Sequence, residues 1–183
     1  HMLLERFMSR ICQGGHMDPY LSRAQCEKLT DEIIEDYILQ VLRGKNNVNA
    51  RLRTLMARLR RTALLLIENI LEEFQHSDFR PAFFELSISD SAKEGGPCVS
   101  PYAVTLPDGK KIRLYGKIDR VDAYQKDGKI YIRIVDYKTG SKNLSMDLIE
   151  KGQEMQMLLY LFAIWKNKDP AFLEQLGAEG SEI

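Results

Sequence analysis

Hydrophobic positions recur at helical spacing up to about residue 75 and then switch to alternation, so the pattern predicts helices first and a sheet afterwards. Leu3, Leu4, Phe7, Met8 and Ile11 share one helical face, which Gly14-Gly15 ends. Ser22 followed by Gln25 predicts a capping box at the start of a second helix, whose apolar face runs through Cys26, Leu29, Ile33, Tyr37 and Val41 to Gly44. Beyond a loop at Lys45-Asn46-Asn47, a long third helix carries Leu52, Leu55, Met56, Leu59, Ala63, Leu66, Ile67, Ile70 and Phe74. From Arg80 the period is two: Phe83, Glu85, Ser87 and Ser89 alternate with Phe84, Leu86 and Ile88, a first strand. Residues 91–100 read as a Gly/Pro-containing loop, and Asp108-Gly109 as a hairpin turn between 102–106 and 111–115, so that the sheet continues as a meander. One helix is expected over 147–165, with Leu148, Met155, Leu158, Leu159, Phe162 and Trp165 mostly in the core. Residues 166–183 read as a broken helix and tail.

The strongest local signal is Asp127-Gly128, placed between two alternating runs rich in β-branched and aromatic residues, which favours a two-residue type I′ loop. With that loop Lys126 faces Lys129, Tyr124 faces Tyr131, Asp122 faces Arg133, Val121 faces Ile134 and Asp119 faces Asp136. All but the last of the side-chain pairings make chemical sense. Two carboxylates directly opposite, with Cβ atoms roughly 4.5–5.5 Å apart, repel each other. Lys138 points to the same face as Asp136, because side chains alternate along a strand. Two readings account for the convergence. Lys138 neutralises one Asp in an ion cluster, or the carboxylates hold a hard divalent cation, which takes oxygen ligands from one or two carboxylates plus phosphate.

Composition narrows the partners. The 183 residues hold 26 Lys plus Arg against 26 Asp plus Glu, so contact with nucleic acid has to come from local patches. Arg51, Arg53, Arg58, Arg60 and Arg61 crowd the first half of the third helix. They read either as contacts to DNA phosphates or as the solvated face of a helix. No apolar run reaches membrane-spanning length and the start lacks a secretory signal, so a cytoplasmic chain without membrane partners is expected. Cys12, Cys26 and Cys98 are odd in number and scattered, which predicts free thiols and neither a disulfide framework nor a zinc site. The length suits one sizeable core with a helical appendage: an arm over 1–79 packed on the core, a core over 80–168 and a tail over 169–183.

Gly116-Lys117-Ile118-Asp119-Arg120-Val121-Asp122, then Asp136-Tyr137-Lys138-Thr139-Gly140, then Gln156 with Tyr160, resemble the ordered motifs of RecB-family nucleases of the PD-(D/E)xK superfamily. The likeness is closest to the AddB/RexB branch of bacterial helicase–nucleases, and the motifs cover about a third of the chain. The resemblance implies an α/β fold similar to restriction endonucleases: a mixed, meander-containing sheet flanked by helices, with a helical N-terminal arm. It implies Mg²⁺-dependent hydrolysis of DNA phosphodiesters, with Mn²⁺ as a substitute, by an exonuclease that processes double-strand breaks beside an AddA/RexA-like helicase subunit.

The resemblance also implies roles. Asp119, Asp136 and the Tyr137 carbonyl would ligate the metal, Lys138 would orient the attacking water, and Gln156 and Tyr160 would reach the site or a DNA backbone. His1 fits the family's first motif as a further metal ligand, or else His1-Met2 is a remnant of cloning. Glu85 matches a Glu the family carries on this strand, although a strand Glu is also an ordinary surface residue. Lys142 joins Arg51, Arg58 and Arg61 as candidates for DNA contact. Related domains commonly hold an iron–sulfur cluster through a Cys upstream of the first motif and a Cys group near the C-terminus. None of the three cysteines has that placement, so no cluster is expected in this chain, which reads as a fragment. The rival reading is a catalytically silent nuclease fold that binds DNA ends or a partner.

Overall fold

The computed structural model describes residues 2–12, 17–41, 49–91, 96–138, 146–151, 155–167 and 169–176. The chain divides into two compact units between Asp78 and Phe79. The first is helical: α1 (Met2–Ile11), α2 (Arg23–Gln40) and α3 (Ala50–Gln75). The α1 face expected from the sequence is buried at Leu3, Leu4, Phe7 and Met8. The capping box forms as predicted, with the Ser22 amide donating to Gln25 Oε1 at 2.8 Å and the Gln25 amide donating to Ser22 Oγ at 3.4 Å. Asn49 caps α3 by accepting from the Leu52 amide at 2.9 Å. The apolar face of α3 is buried only from Ala63 onward, and Leu55, Leu59 and Leu66 remain exposed. No described helix is long and apolar enough to cross a membrane.

The second unit is built on a mixed four-stranded sheet, order β2-β1-β5-β6, from β1 (Arg80–Ile88), β2 (Cys98–Val99), β5 (Gly116–Lys126) and β6 (Lys129–Val135). β2 runs parallel to β1, while β1–β5 and β5–β6 are antiparallel. β3 (Ala103–Thr105) and β4 (Lys111–Arg113) pair as a separate two-stranded ribbon. The Asp108-Gly109 hairpin therefore exists but does not carry the meander on into the main sheet, and β1 meets β5 directly. Its loop is one residue longer than Asp-Gly alone, since the Leu106 amide donates to the Lys110 carbonyl across Pro107, Asp108 and Gly109.

Between β5 and β6 the expected geometry holds. Asp127 and Gly128 both have positive φ, 52° and 72°, as a type I′ loop requires. The register follows the sequence count from Lys126 opposite Lys129, through Tyr124–Tyr131, Asp122–Arg133 and Val121–Ile134, to Arg120–Val135. On β1 the simple alternation breaks down. The register shifts between Pro81 and Phe83, and Glu85 adopts φ 53°, a left-handed conformation that costs a non-glycine residue on the order of 1–2 kcal/mol.

The C-terminal expectations need two corrections. The stretch 147–165 is not one helix but two, α4 (Met146–Glu150) and α5 (Gln156–Trp165), with Gly152, a poor helix former, in the sequence between them. Leu158, Leu159 and Trp165 are exposed, and the buried face of α5 is Tyr160, Ala163 and Ile164. The expected tail includes a further helix, α6 (Pro170–Gln175), whose Phe172 stacks on Phe83 with ring centroids 4.9 Å apart. Phe172 and Leu176 belong to the same core as Leu86, Ile88, Ile118, Val121 and Ile164.

Candidate functional site

The site forms where the β5–β6 ladder runs out. The last paired residues are Arg120 and Val135, so the next positions outward are Asp119 and Asp136. In place of a further backbone rung, Asp119 Oδ2 accepts the Tyr137 amide at 2.7 Å, which turns one carboxylate into the clasp between the two strand ends. Alternation along β5 puts Lys117, Asp119 and Val121 on one face, and Val121 faces Ile134, two residues before Asp136. Lys138 Nζ lies 2.6 Å from Asp136 Oδ2 and 3.5 Å from Gln156 Oε1. Gln156 Nε2 in turn donates to the Tyr160 hydroxyl at 3.0 Å. A chain of polar contacts thus runs from Asp136 through Lys138 and Gln156 to Tyr160, the last two presented on one face of α5.

Gly116 makes this approach of α5 feasible. A Cβ there would lie 2.7 Å from Tyr160 Cε1, so only a residue without a side chain lets the largely buried Tyr160 ring rest on the start of β5. The Asp136 side chain is 9% exposed while that of Lys138 is 48% exposed, so a nearly buried carboxylate is met by an ammonium that reaches solvent. The Lys138 ammonium is held above its ordinary pKa of 10.5, first by its hydrogen bond to Asp136 and then by the charges of Asp136 and Asp119, with burial opposing. It is a cation at any physiological pH and is unsuited to act as a base.

Of the other candidates, Glu85 sits across the β1–β5 pairing from Asp119, between the registered pairs Phe84–Arg120 and Leu86–Ile118. Its carboxylate forms an ion pair with Lys117. Arg51, Arg58 and Arg61 are exposed on α3 in the helical unit, while Arg60 of the same run is committed to Asp31 at 2.5 and 2.8 Å. His1 and Lys142 lie outside the described residues. Cys12, Cys26 and Cys98 are free thiols.

Behind the site is a group that the motif pattern does not single out. Asp122 Oδ2 accepts from Arg120 at 3.0 Å and from Arg133 at 2.9 Å, and Arg120 donates to the Tyr137 hydroxyl at 2.8 Å. The Arg120 and Asp122 side chains are 1% and 0% exposed. Burial pushes the Tyr137 phenol above its ordinary pKa against the pull of Arg120, so it stays a neutral hydrogen-bonding group. The sequence does hold a signal for it: Arg120 and Asp122 are two apart on a strand and must share a face, and the hairpin register matches Asp122 to Arg133.

Among the described residues no three His, Cys, Asp or Glu side chains cluster as a ready-made cage. The available donors are the oxygens of Asp119 and Asp136 with the Tyr137 carbonyl. An all-oxygen, two-carboxylate set fits Mg²⁺, which is commonly bound by one or two carboxylates together with substrate phosphate and water. It does not fit a soft metal that prefers sulfur or nitrogen.

A family model described as the PD-(D/E)XK nuclease superfamily matches residues 1–179. The chain is also similar to proteins named as the AddB-type subunit of an ATP-dependent helicase/deoxyribonuclease. The one from Ruminiclostridium cellulolyticum is 31% identical over 180 residues, covering 96% of this chain and 15% of the relative. That from Clostridium acetobutylicum is 32% identical over 173 residues, covering 92% and 14% respectively. That from Caldanaerobacter subterraneus is 33% identical over 144 residues, covering 79% and 12%. The chain therefore spans less than a sixth of the length of these relatives.

Proposed function

Because the chain belongs to the PD-(D/E)XK nuclease superfamily, we propose that its site hydrolyses DNA phosphodiesters with a divalent metal, Mg²⁺ or Mn²⁺, as the nuclease domain of a helicase–nuclease subunit. The observation that carries this reading is the Asp119 clasp. One carboxylate holds the Tyr137 amide at 2.7 Å, next to a second carboxylate that holds Lys138 at 2.6 Å, so two acids and one ammonium converge at a strand end. An ion cluster serving only stability would gain little from placing two like charges side by side.

Held by Asp119, Asp136 and the Tyr137 carbonyl, the cation would polarise a phosphoryl oxygen and lower the pKa of water. The protein's own part is to place charge and donors. Lys138, cationic and half exposed, donates to the attacking water or to a non-bridging phosphate oxygen and stabilises charge as it builds on phosphorus. Gln156 keeps the ammonium from folding wholly onto Asp136, and Tyr160 fixes Gln156. His1, where native, adds a ligand. Arg51, Arg58, Arg61 and Lys142 are proposed as phosphate contacts that position the strand.

The named relatives support a wider proposal: the chain works on the DNA delivered by an ATP-dependent helicase partner, as an exonuclease in double-strand-break processing. A Mg²⁺ titration of DNA cleavage by this chain, beside Asp136→Ala, tests the reading. Metal-dependent cleavage that disappears in the variant supports it. Cleavage by neither protein at any metal concentration, with DNA still bound, would instead support a silent binding module.

A further inference from the structure

We propose that Arg120 is a positioning residue for the metal site, acting through the Tyr137 hydroxyl from the opposite face of the sheet. This rests on the proposed metal-site reading and extends it to residues that touch neither metal nor DNA.

The argument begins with the end of β6. Asp136, Tyr137 and Lys138 lie beyond the last ladder pair, Arg120–Val135, so backbone pairing no longer fixes their conformation. Two contacts hold them. On the site face, Asp119 accepts the Tyr137 amide. On the other face, the Tyr137 side chain reaches Arg120, which donates to its hydroxyl at 2.8 Å, with the guanidinium 5.8 Å from the ring centroid. Tyr137 is thus pinned at its amide and at its hydroxyl, on either side of the sheet. Its neighbours Asp136 and Lys138 point the other way by alternation, toward Asp119.

Arg120 is itself immobilised. Its side chain is buried, and its planar fork meets Asp122 at 2.8 and 3.0 Å. Asp122 is braced from β6 by Arg133 at 2.9 Å, and Arg133 lies over the Phe79 ring at 4.9 Å. A fork whose other donors are engaged has one geometry in which to meet the hydroxyl, which is what a lysine point charge would not provide. The network transmits the register of the paired strands one residue past their end. The Tyr137 carbonyl and the Asp136 carboxylate therefore face Asp119 before any metal arrives.

The test uses Tyr137→Phe, which removes one hydroxyl and leaves the backbone carbonyl, and Arg120→Lys, which keeps the charge beside Asp122. Tyr131→Phe, an exposed tyrosine, is the control and Asp119→Asn the metal-site reference. Mn²⁺ affinity is read from the free-ion electron paramagnetic resonance signal without DNA, alongside metal-free melting and DNA affinity in EDTA. The expected result is Mn²⁺ affinity weakened roughly tenfold or more in Tyr137→Phe and Arg120→Lys, as for outer partners of metal ligands. DNA affinity in EDTA is unchanged, Tyr137→Phe melts within a few degrees of wild type, and excess Mn²⁺ restores its cleavage. Wild-type affinity in a folded Tyr137→Phe or, should that variant not fold, in Arg120→Lys overturns the positioning role and leaves the metal site standing. If wild type binds Mn²⁺ no better than Asp119→Asn, the metal-site reading falls, and this inference with it.

Discussion

Asp119 and Asp122 stand three residues apart on the same strand and have opposite environments. Asp122 is fully buried and neutralised by two guanidiniums, Arg120 and Arg133. Asp119 is half-buried at the end of the ladder, holds a backbone amide and shares its surroundings with a second carboxylate and a single ammonium. The difference separates structural charge from chemical charge. A buried carboxylate surrounded by positive partners specifies how two strands meet, and removing it leaves those partners uncompensated. A carboxylate beside another carboxylate is electrostatically costly until a cation joins it, and that unfinished balance is what a metal site requires.

The largest effect expected from this contrast is on catalysis. Lys138→Met should lower the DNA cleavage rate about 10²–10³-fold, the range for losing one donor aimed at developing charge, with folding intact. Single-turnover cleavage beside a thermal melt measures both. A comparable loss from any exposed lysine on β6 would remove the special status of Lys138.

Next comes stability. Asp122→Asn should destabilise the protein by about 3–5 kcal/mol, because two buried guanidiniums lose their counter-charge, and urea unfolding would read it directly. A loss below about 1 kcal/mol would mean that Asp122 is no more structural than Asp119 and would erase the distinction.

A smaller effect is expected at Gly116. An Ala Cβ would meet the Tyr160 ring at 2.7 Å, so Gly116→Ala should push Tyr160 off the start of β5 at a cost of about 1–3 kcal/mol. Through Gln156 it should also weaken cleavage more than it weakens DNA binding, which separate binding and rate measurements would show.

The smallest effect is in pH dependence. Lys138 has a folded pKa raised above its ordinary 10.5 by Asp136. Its contribution to stability is therefore fully present below 10.5 and is lost only as pH rises through the higher folded value. Stability between pH 7 and 9 should be the same for wild type and Lys138→Met apart from a constant offset. A Lys138-dependent change inside that window would show that the ammonium is not held as described.

How much of the molecule is legible in its sequence depends on whether local or distant partners decide it. The β5–β6 register follows from Asp127-Gly128 because a type I′ loop leaves no freedom in the facing pairs, and so the Asp119–Asp136–Lys138 convergence is readable from the residues alone. The capping box at Ser22 is local in the same way. What is not readable depends on distant neighbours. The left-handed Glu85 breaks an alternation that the residue types alone support. The core position of Phe172 depends on Phe83, far away in sequence. Composition makes the apolar α5 look uniformly buried, whereas the helix buries one face and exposes Leu158, Leu161 and Trp165. The burial of Arg120 is hidden for the same reason: an arginine within a strand reads as surface until its counter-charges on its own and the neighbouring strand and its hydroxyl partner beyond the strand end are all placed.

The central claim is that Asp119 belongs to a site awaiting a cation, and thermal melts of wild type and Asp119→Asn, each in EDTA and in millimolar Mg²⁺, test it most directly. Asn keeps an oxygen to accept the Tyr137 amide, so without metal the variant should be as stable as wild type or up to about 1 kcal/mol more stable, having lost a like-charge neighbour. Mg²⁺ should raise the melting temperature of wild type, by the equivalent of about 2.7 kcal/mol at a hundred times its dissociation constant, and leave the variant where it was. A variant strongly destabilised in EDTA, with no Mg²⁺ effect on wild type, would contradict the account and make Asp119 part of an ion cluster that serves only the fold.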